Sequence, residues 1–289
     1  MSSAITHVVA ALSLAFVSTT ASPAQDIEVT PAMRGVASAS LCADAYVFAL
    51  LEPGEIQAVS WQVDEPVSEA PDWARNYPRA WADAERLYHL SAAHVVFGPG
   101  EGTGLGPMLT QAGVETVHLH WGEGFQTVRE NLRLLGRAFG REDRAEREIA
   151  QLDRRLEALA GRAQQRSARR RVFYLSSSGG SAGDSTYIDA AITAAGGDNV
   201  VAANGATGWT RSDPEQVLGL SADLIVTSFF ENGYEGRLNR ARYHAAYRQV
   251  LDTEARIEIP SGYWPCAGPH LIDAAERIAD ALDRLEDEG

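Results

Sequence analysis

The chain has 289 residues, 45 % hydrophobic and 22 % charged, which suits a globular core and allows two domains. Its net charge of −14 repels nucleic acid and anionic lipid, and so excludes both as partners. Every basic residue is Arg, a compositional bias that carries no function.

Residues 1–24 read as a secretory signal. An apolar run from Val8 to Val17 is followed by small residues, with a cleavage position after Ala24. The run is too short to span a bilayer, and no Cys stands at the cleavage point to carry a lipid. The mature protein is therefore expected to be exported and soluble. Its two cysteines, Cys42 and Cys266, form an even pair in an oxidising compartment, which favours a disulfide.

The first half, 30–123, reads as alternating strands and helices. "RGVASASL" (34–41) is a strand, "CADAYVFALL" a helix and "EIQAVSW" (55–61) a strand. A proline-rich loop runs from Gln62 to Arg79. Then come a helix, the strand "AHVVFG", the turn "PGEGTGLG", the helix "PMLTQAG" and the strand "ETVHLH". The alternation predicts a parallel α/β sheet. Residues 124–168 are helical and highly charged. Leu132, Leu135, Ile149, Leu152, Leu156 and Leu159 form an apolar stripe, and Gly136 and Gly140 mark a break or kink. This segment reads as a connector to a second α/β half, 169–289. That half opens on the strand "RRVFYLSS" (170–177), the loop "SGGSAGDST" and the helix "YIDAAITAAGG". The short apolar "NVVA" and the loop "ANGATGWTRS" follow. After the next helix and strand, "FFENGYEGRLNRARYHAAYRQV" is a loop leading into a helix. "ARIEIP" is a strand, "SGYWPCAGP" a loop, and "HLIDAAERIADALDRL" the final helix.

One pattern occurs twice. In "ADAERLYHLSAAHVVF" (82–97) and "SDPEQVLGLSADLIVTS" (212–228), Asp83, Glu85, Leu90, Ser91, Ala92 and Val96 match Asp213, Glu215, Leu220, Ser221, Ala222 and Val226 without a gap. Each copy is a capped helix start with a carboxylate in its first turn, Ser212 capping the second. Singly, each glutamate only stabilises its helix. As an equivalent pair in two lobes, they present two carboxylates that can dock onto arginines of a dimeric partner.

With those residues in place, the chain resembles the substrate-binding proteins of ABC importers for vitamin B12, ferric siderophores and haem, and the vitamin B12 binders most closely. The resemblance spans about Arg34 to Leu282. It rests on Glu85 in "AERLYHLSAAHVV", Glu215 in "PEQVLGLSADLIV", the stretch "TGWTRSDPEQVLGLSADLIV" and the ending "SGYWPCAGPHLIDAAERIADAL". In the first copy Ala93-His94 replaces the Asp-Leu often found there. The resemblance implies two Rossmann-like lobes with parallel sheets, joined by one long connector helix, and a ligand cleft between them. It also implies a periplasmic, monomeric, non-enzymatic protein without a cofactor, which captures a metal chelate and hands it to an ABC permease dimer. Glu85 and Glu215 take the family's permease-docking positions. The loops after strands would contact ligand through Cys42, Asp44, Trp61, Trp81, Phe97, His120, Trp209, Phe229, Phe230, Tyr263 and Trp264. Both cysteines would then face the cleft, one from each lobe, and a bridge between them would tether the lobes.

Other chemistries fit less well. Asp44, Cys42, Cys266 and His120 are the residues a bare metal ion could draw on. A dedicated site needs a fuller converging set, so none is assigned and His120 is read as a polar contact to a bound chelate. An exported α/β hydrolase would use Asp184 or Ser185 with His120 or His270, without a nucleophile motif. "GPGEGTGLG" and "SSSGGSAGDST" match neither nucleotide fingerprint. A metal-ion receptor and a sensor-coupled receptor are the remaining alternatives. Tryptophan-rich loops favour cobalamin or haem. Arg211, Arg237, Arg240 and Arg242 could instead serve an anionic siderophore, and cobalamin is preferred.

Overall fold

The computed structural model describes residues 35–229, 244–253 and 255–287, all within one compact unit of 32–289. The expected signal and Phe230, Arg237, Arg240 and Arg242 lie outside the described residues.

The first lobe is built on a five-stranded parallel sheet in the order β3-β2-β1-β4-β5. Its strands are β1 (Val36–Ser38), β2 (Ile56–Ser60), β3 (Arg79–Ala80), β4 (His94–Phe97) and β5 (Glu115–His118). The intervening helices are α1 (Leu41–Leu50), α2 (Ala84–His89) and α3 (Gly106–Gln111). The inner strands β1, β2 and β4 are short, largely apolar and mostly buried, as a parallel sheet covered by helices demands, while the edge strands β3 and β5 are more polar and exposed. Each helix begins where a strand ends, so sequence signals at helix starts fall on one edge of the sheet. Ser40 caps α1 by accepting from the Ala43 N–H at 3.1 Å, and Asp83 caps α2 by accepting from Arg86 N at 2.9 Å.

The connector segment expected over 124–168 holds two helices, the second of them the long helix expected to join the lobes. α4 (Phe125–Phe139) ends at Gly140, whose φ of 61° makes the left-handed cap, and α5 (Glu142–Gln165) then reverses direction. Arg129 to Asp153 and Arg133 to Glu146 ion pairs lace this antiparallel hairpin. Gly136 is no break. It lies inside α4 because a Cβ there would come within 2.7 Å of the Ala145 Cβ. Among the described residues, α5 is the helix that carries the chain from one lobe to the other.

The second lobe repeats the plan, with a four-stranded parallel sheet in the order β11-β10-β6-β8. Its strands are β6 (Arg171–Ser176), β8 (Asp198–Asn199), β10 (Leu224–Ser228) and β11 (Arg256–Glu258). Two segments expected as loops instead pair antiparallel, β7 (Gly180–Ala182) with β9 (Trp209–Arg211), setting Ala182 opposite Trp209. Helices α6 (Tyr187–Ala194), α7 (Val200–Ala203), α8 (Pro214–Gly219), α9 (Ala245–Thr253) and α10 (Leu271–Asp287) complete it. The α8 cap is Asp213, one residue past the expected Ser212, and it accepts from Glu215 N at 2.9 Å. The last helix lies along α5. Arg155 bridges Asp273 and Glu276, Arg162 bridges Asp280 and Asp283, and the nearly buried Arg166 reaches Asp283.

One apolar core runs through both lobes beside α5. It includes Tyr46 and Leu50 on α1, Leu132 on α4, Leu152 on α5, Tyr174 on β6 and Ile272 on α10. Each lobe has a second cluster on its outer face. Opening the lobes widely would expose part of the shared core, so the fold favours small excursions.

Candidate ligand-binding site

Carboxyl ends of parallel strands are where open α/β sheets receive ligands. Contacts at three places bring the corresponding loops of the two lobes together. Cys42, at the start of α1, is disulfide-bonded to Cys266 ahead of α10, with a Cα separation of 5.7 Å. The Tyr46 hydroxyl donates to the Ala267 carbonyl at 3.3 Å. Glu123, in the loop between β5 and α4, accepts from Tyr187 N at 3.2 Å and from the Trp209 indole N–H at 3.3 Å.

The first-lobe edge is assembled from its own polar ends. Asp44 accepts from Ser60 N at 3.0 Å, tying α1 to the end of β2, and Gln62 accepts from Leu41 N at 3.3 Å. The other Asp44 oxygen is buried without a partner, and burial raises the carboxyl from 3.8 to about 7. It borders a small cavity lined also by Phe48, Glu69, Tyr263 and His270. Burial likewise raises the Glu101 carboxyl, while its hydrogen bond with Ser40 pulls the other way. Glu101 thus sits where β1 and β4 end.

The tryptophans divide. Trp61, Trp81 and Trp209 are 44 %, 36 % and 50 % exposed, and Trp121, which sequence reasoning passed over, is 76 % exposed. Trp61, Trp81 and Trp121 follow β2, β3 and β5, and Trp209 opens β9. Arg86 lies over Trp81 at 4.8 Å. Trp264, expected at the cleft wall, is fully buried. It packs against Tyr174 and Tyr187, and its indole N–H donates to Ser228. Phe97 is also interior, stacked on His118 at 5.1 Å with Gly102 pressed against its ring. Both point inward because they complete the core rather than the rim. Tyr263 is half-buried between the His270 ring and the Arg277 guanidinium. Phe229 is half-buried at the end of β10 with a φ of 65°.

His120 is exposed, but its backbone is held on both sides. Buried Asn131 on α4 accepts from His120 N at 2.8 Å and donates to His120 O at 3.2 Å. Asn131 also donates to the Tyr46 hydroxyl at 3.4 Å, so the β5 loop, α4, α1 and the Ala267 turn share one buried polar chain. Gly122 lets the loop lie against Thr127, whose hydroxyl would meet a Cβ at 1.9 Å. Neither Asn131 nor Gly122 shows a signal in the sequence alone, because the groups they meet, the His120 backbone and Tyr46 hydroxyl for one and the Thr127 side chain for the other, are brought to them by the fold.

The residues an esterase-like centre would need are not assembled. Ser185 donates to the adjacent Asp184 at 3.1 Å, whereas His270 pairs with Asp273 at 2.9 Å and stacks on Tyr263. Among the described residues no cluster of His, Cys, Asp and Glu could hold a metal ion. Glu85 and Glu215 are exposed in the first turns of α2 and α8.

Two parallel-sheet lobes, one crossing helix and aromatic loops at the strand ends define a two-lobed α/β fold. The family model described as "Periplasmic binding protein" matches residues 94–236. The periplasmic heme-binding protein HutB of Vibrio cholerae superposes with a TM-score of 0.70 at 18 % identity, covering 86 % of this chain and 99 % of its own. The periplasmic heme-binding protein RhuT from Roseiflexus sp. RS-1 gives 0.68 at 21 %, covering 86 % and 98 %. The periplasmic vitamin B12 binding protein BtuF of Vibrio cholerae gives 0.63 at 19 %, covering 88 % and 98 %. No curated protein sequence matches the chain. The chain thus shares the fold of these periplasmic binding proteins, and the family model covers just under half of its length.

Proposed function

We propose that this protein captures a flat metal chelate between its lobes, cobalamin in preference to haem or a ferric siderophore, and delivers it to an ABC permease dimer in the inner membrane. The observation that carries the reading is the four exposed tryptophans on cleft-side loops, three in one lobe and one in the other. An indole buries a large apolar face on a corrin or porphyrin at little conformational cost. Exposed tryptophans repeated at strand ends are costly unless something covers them. The relatives named as binding haem and vitamin B12 support the ligand class.

Glu85 and Glu215 are the docking carboxylates in this reading. Both stand at helix starts, hence on the strand-end side of their lobes, and both are exposed. Titration of the purified protein with cobalamin, haemin and a ferric siderophore, followed by indole fluorescence, tests capture. Micromolar or tighter binding of one chelate is expected, and binding of none refutes the reading. Replacing Glu85 and Glu215 together by Ala leaves that affinity unchanged and abolishes uptake. Lost affinity in the double variant would place the glutamates in the ligand site instead.

A further inference from the structure

We propose that Glu123 is a positioning residue: a carboxylate from the first-lobe side that sets the indole of Trp209 in the second lobe, so that the second lobe's stacking surface is complete only when the lobes are together. The inference rests on the reading of Trp209 as a ligand platform.

Trp209 lies on the short β7–β9 ribbon. Its backbone pairs there with Ala182, but the ribbon alone leaves a half-exposed indole free to rotate about its side-chain bonds. Two contacts restrict it. The Tyr187 ring meets it edge-on at 4.7 Å and 62°, and its N–H donates to Glu123 at 3.3 Å. The second oxygen of Glu123 accepts from Tyr187 N, the first residue of α6, at 3.2 Å, where the helix end also favours an anion. One carboxylate therefore holds both the platform and the residue that buttresses it. Burial raises the Tyr187 hydroxyl and the Glu123 charge raises it further, consistent with an anion close beside the ring.

Glu123 can do this because its own loop is fixed. Asn131 holds the His120 backbone from both sides, and Gly122 is clamped against Thr127. The geometry of the first-lobe loop is thereby passed to a second-lobe aromatic through two hydrogen bonds. Lobe separation breaks both, the indole gains rotational freedom, and the stacking surface is lost along with the enclosure.

The test uses protein labelled with 5-fluorotryptophan. The Trp209 resonance is assigned by its loss in Trp209→Phe, and cobalamin and haemin are the probes. In Glu123→Ala the Trp209 resonance shifts and narrows, and the affinity for whichever chelate binds falls roughly tenfold, as for loss of a hydrogen bond to a charged group. Glu123→Gln offers one carbonyl acceptor to two donors, so it falls between Glu123→Ala and the unaltered protein. In the Trp209→Phe background, Glu123→Ala costs much less affinity than in the unaltered protein, because the indole donor it served is gone and only the Tyr187 N–H remains. An unmoved Trp209 resonance, unchanged affinity in Glu123→Ala, or an equal loss in the Trp209→Phe background overturns the proposal while leaving the ligand reading intact. If neither probe nor a ferric siderophore binds the unaltered protein, the ligand reading and the proposal fall together.

Discussion

Replacing Cys42 and Cys266 by Ser removes a bridge that closes 224 residues of chain. For a loop of that length the loop-entropy relation gives about 5 kcal/mol at 25 °C. Part of this is returned. Cys266 and Ala267 both hold left-handed backbone, with φ of 59° and 47°, and freeing two non-glycine residues from that region relieves on the order of 1 kcal/mol each. The net expected loss is therefore about 3 to 5 kcal/mol, near 10 °C in Tm for a domain of this size. Urea unfolding of the double Ser variant, and of the unaltered protein under dithiothreitol, measures it, and the two should agree. A loss below about 1 kcal/mol in both would mean that the unfolded chain is not appreciably restricted by the bridge, and the loop-closure reasoning would fail.

Asp44 predicts a pH trend of definite sign. Its carboxyl is held near 7 in the folded state against 3.8 as the ordinary value, so the native state binds the proton more tightly and stability falls as pH rises through this window. From pH 5 to pH 8 the expected loss is about 2.5 kcal/mol. Asp44→Asn should flatten the unfolding free energy over the same range, and an equal slope in the variant would refute the assignment. Trp264→Ala should destabilise by about 3–5 kcal/mol, because a fully buried indole and its bond to Ser228 are lost. Trp61→Ala should leave Tm within about 2 °C and weaken chelate binding tenfold or more, with calorimetry and ligand titration separating the two variants. Asn131→Leu should cost about 2–4 kcal/mol by leaving both His120 backbone groups and the Tyr46 hydroxyl short of a partner, read by the same unfolding assay.

The repeat of Glu85 and Glu215, the alternation of strands and helices and the charged connector were legible because each is a local pattern. Periodicity places strands and helices, and a cap marks where a helix starts. The β7–β9 ribbon was not legible, since its two arms are only three residues each, too short to show an alternation, and they pair only across an intervening α6 and α7. Gly136 and Gly140 look alike in sequence, but packing makes one a close contact and the other a terminus. Aromatic residues in loops carry the same ambiguity: Trp264 and Trp61 both follow a strand, and only the burial of one tells core from rim. Glu123 reads as one more solvated acid until the fold brings Trp209 to it, 86 residues away.

The pairing of α10 with α5 has a temporal side. The last helix supplies Ile272 and Ile278 to the core shared by both lobes, and Cys266 just ahead of it closes on Cys42. A chain emerging amino end first therefore exposes a seam in its early half that nothing upstream can cover. Maturation of this molecule waits on its tail, and synthesis that stalls near the end releases a body with its keystone missing.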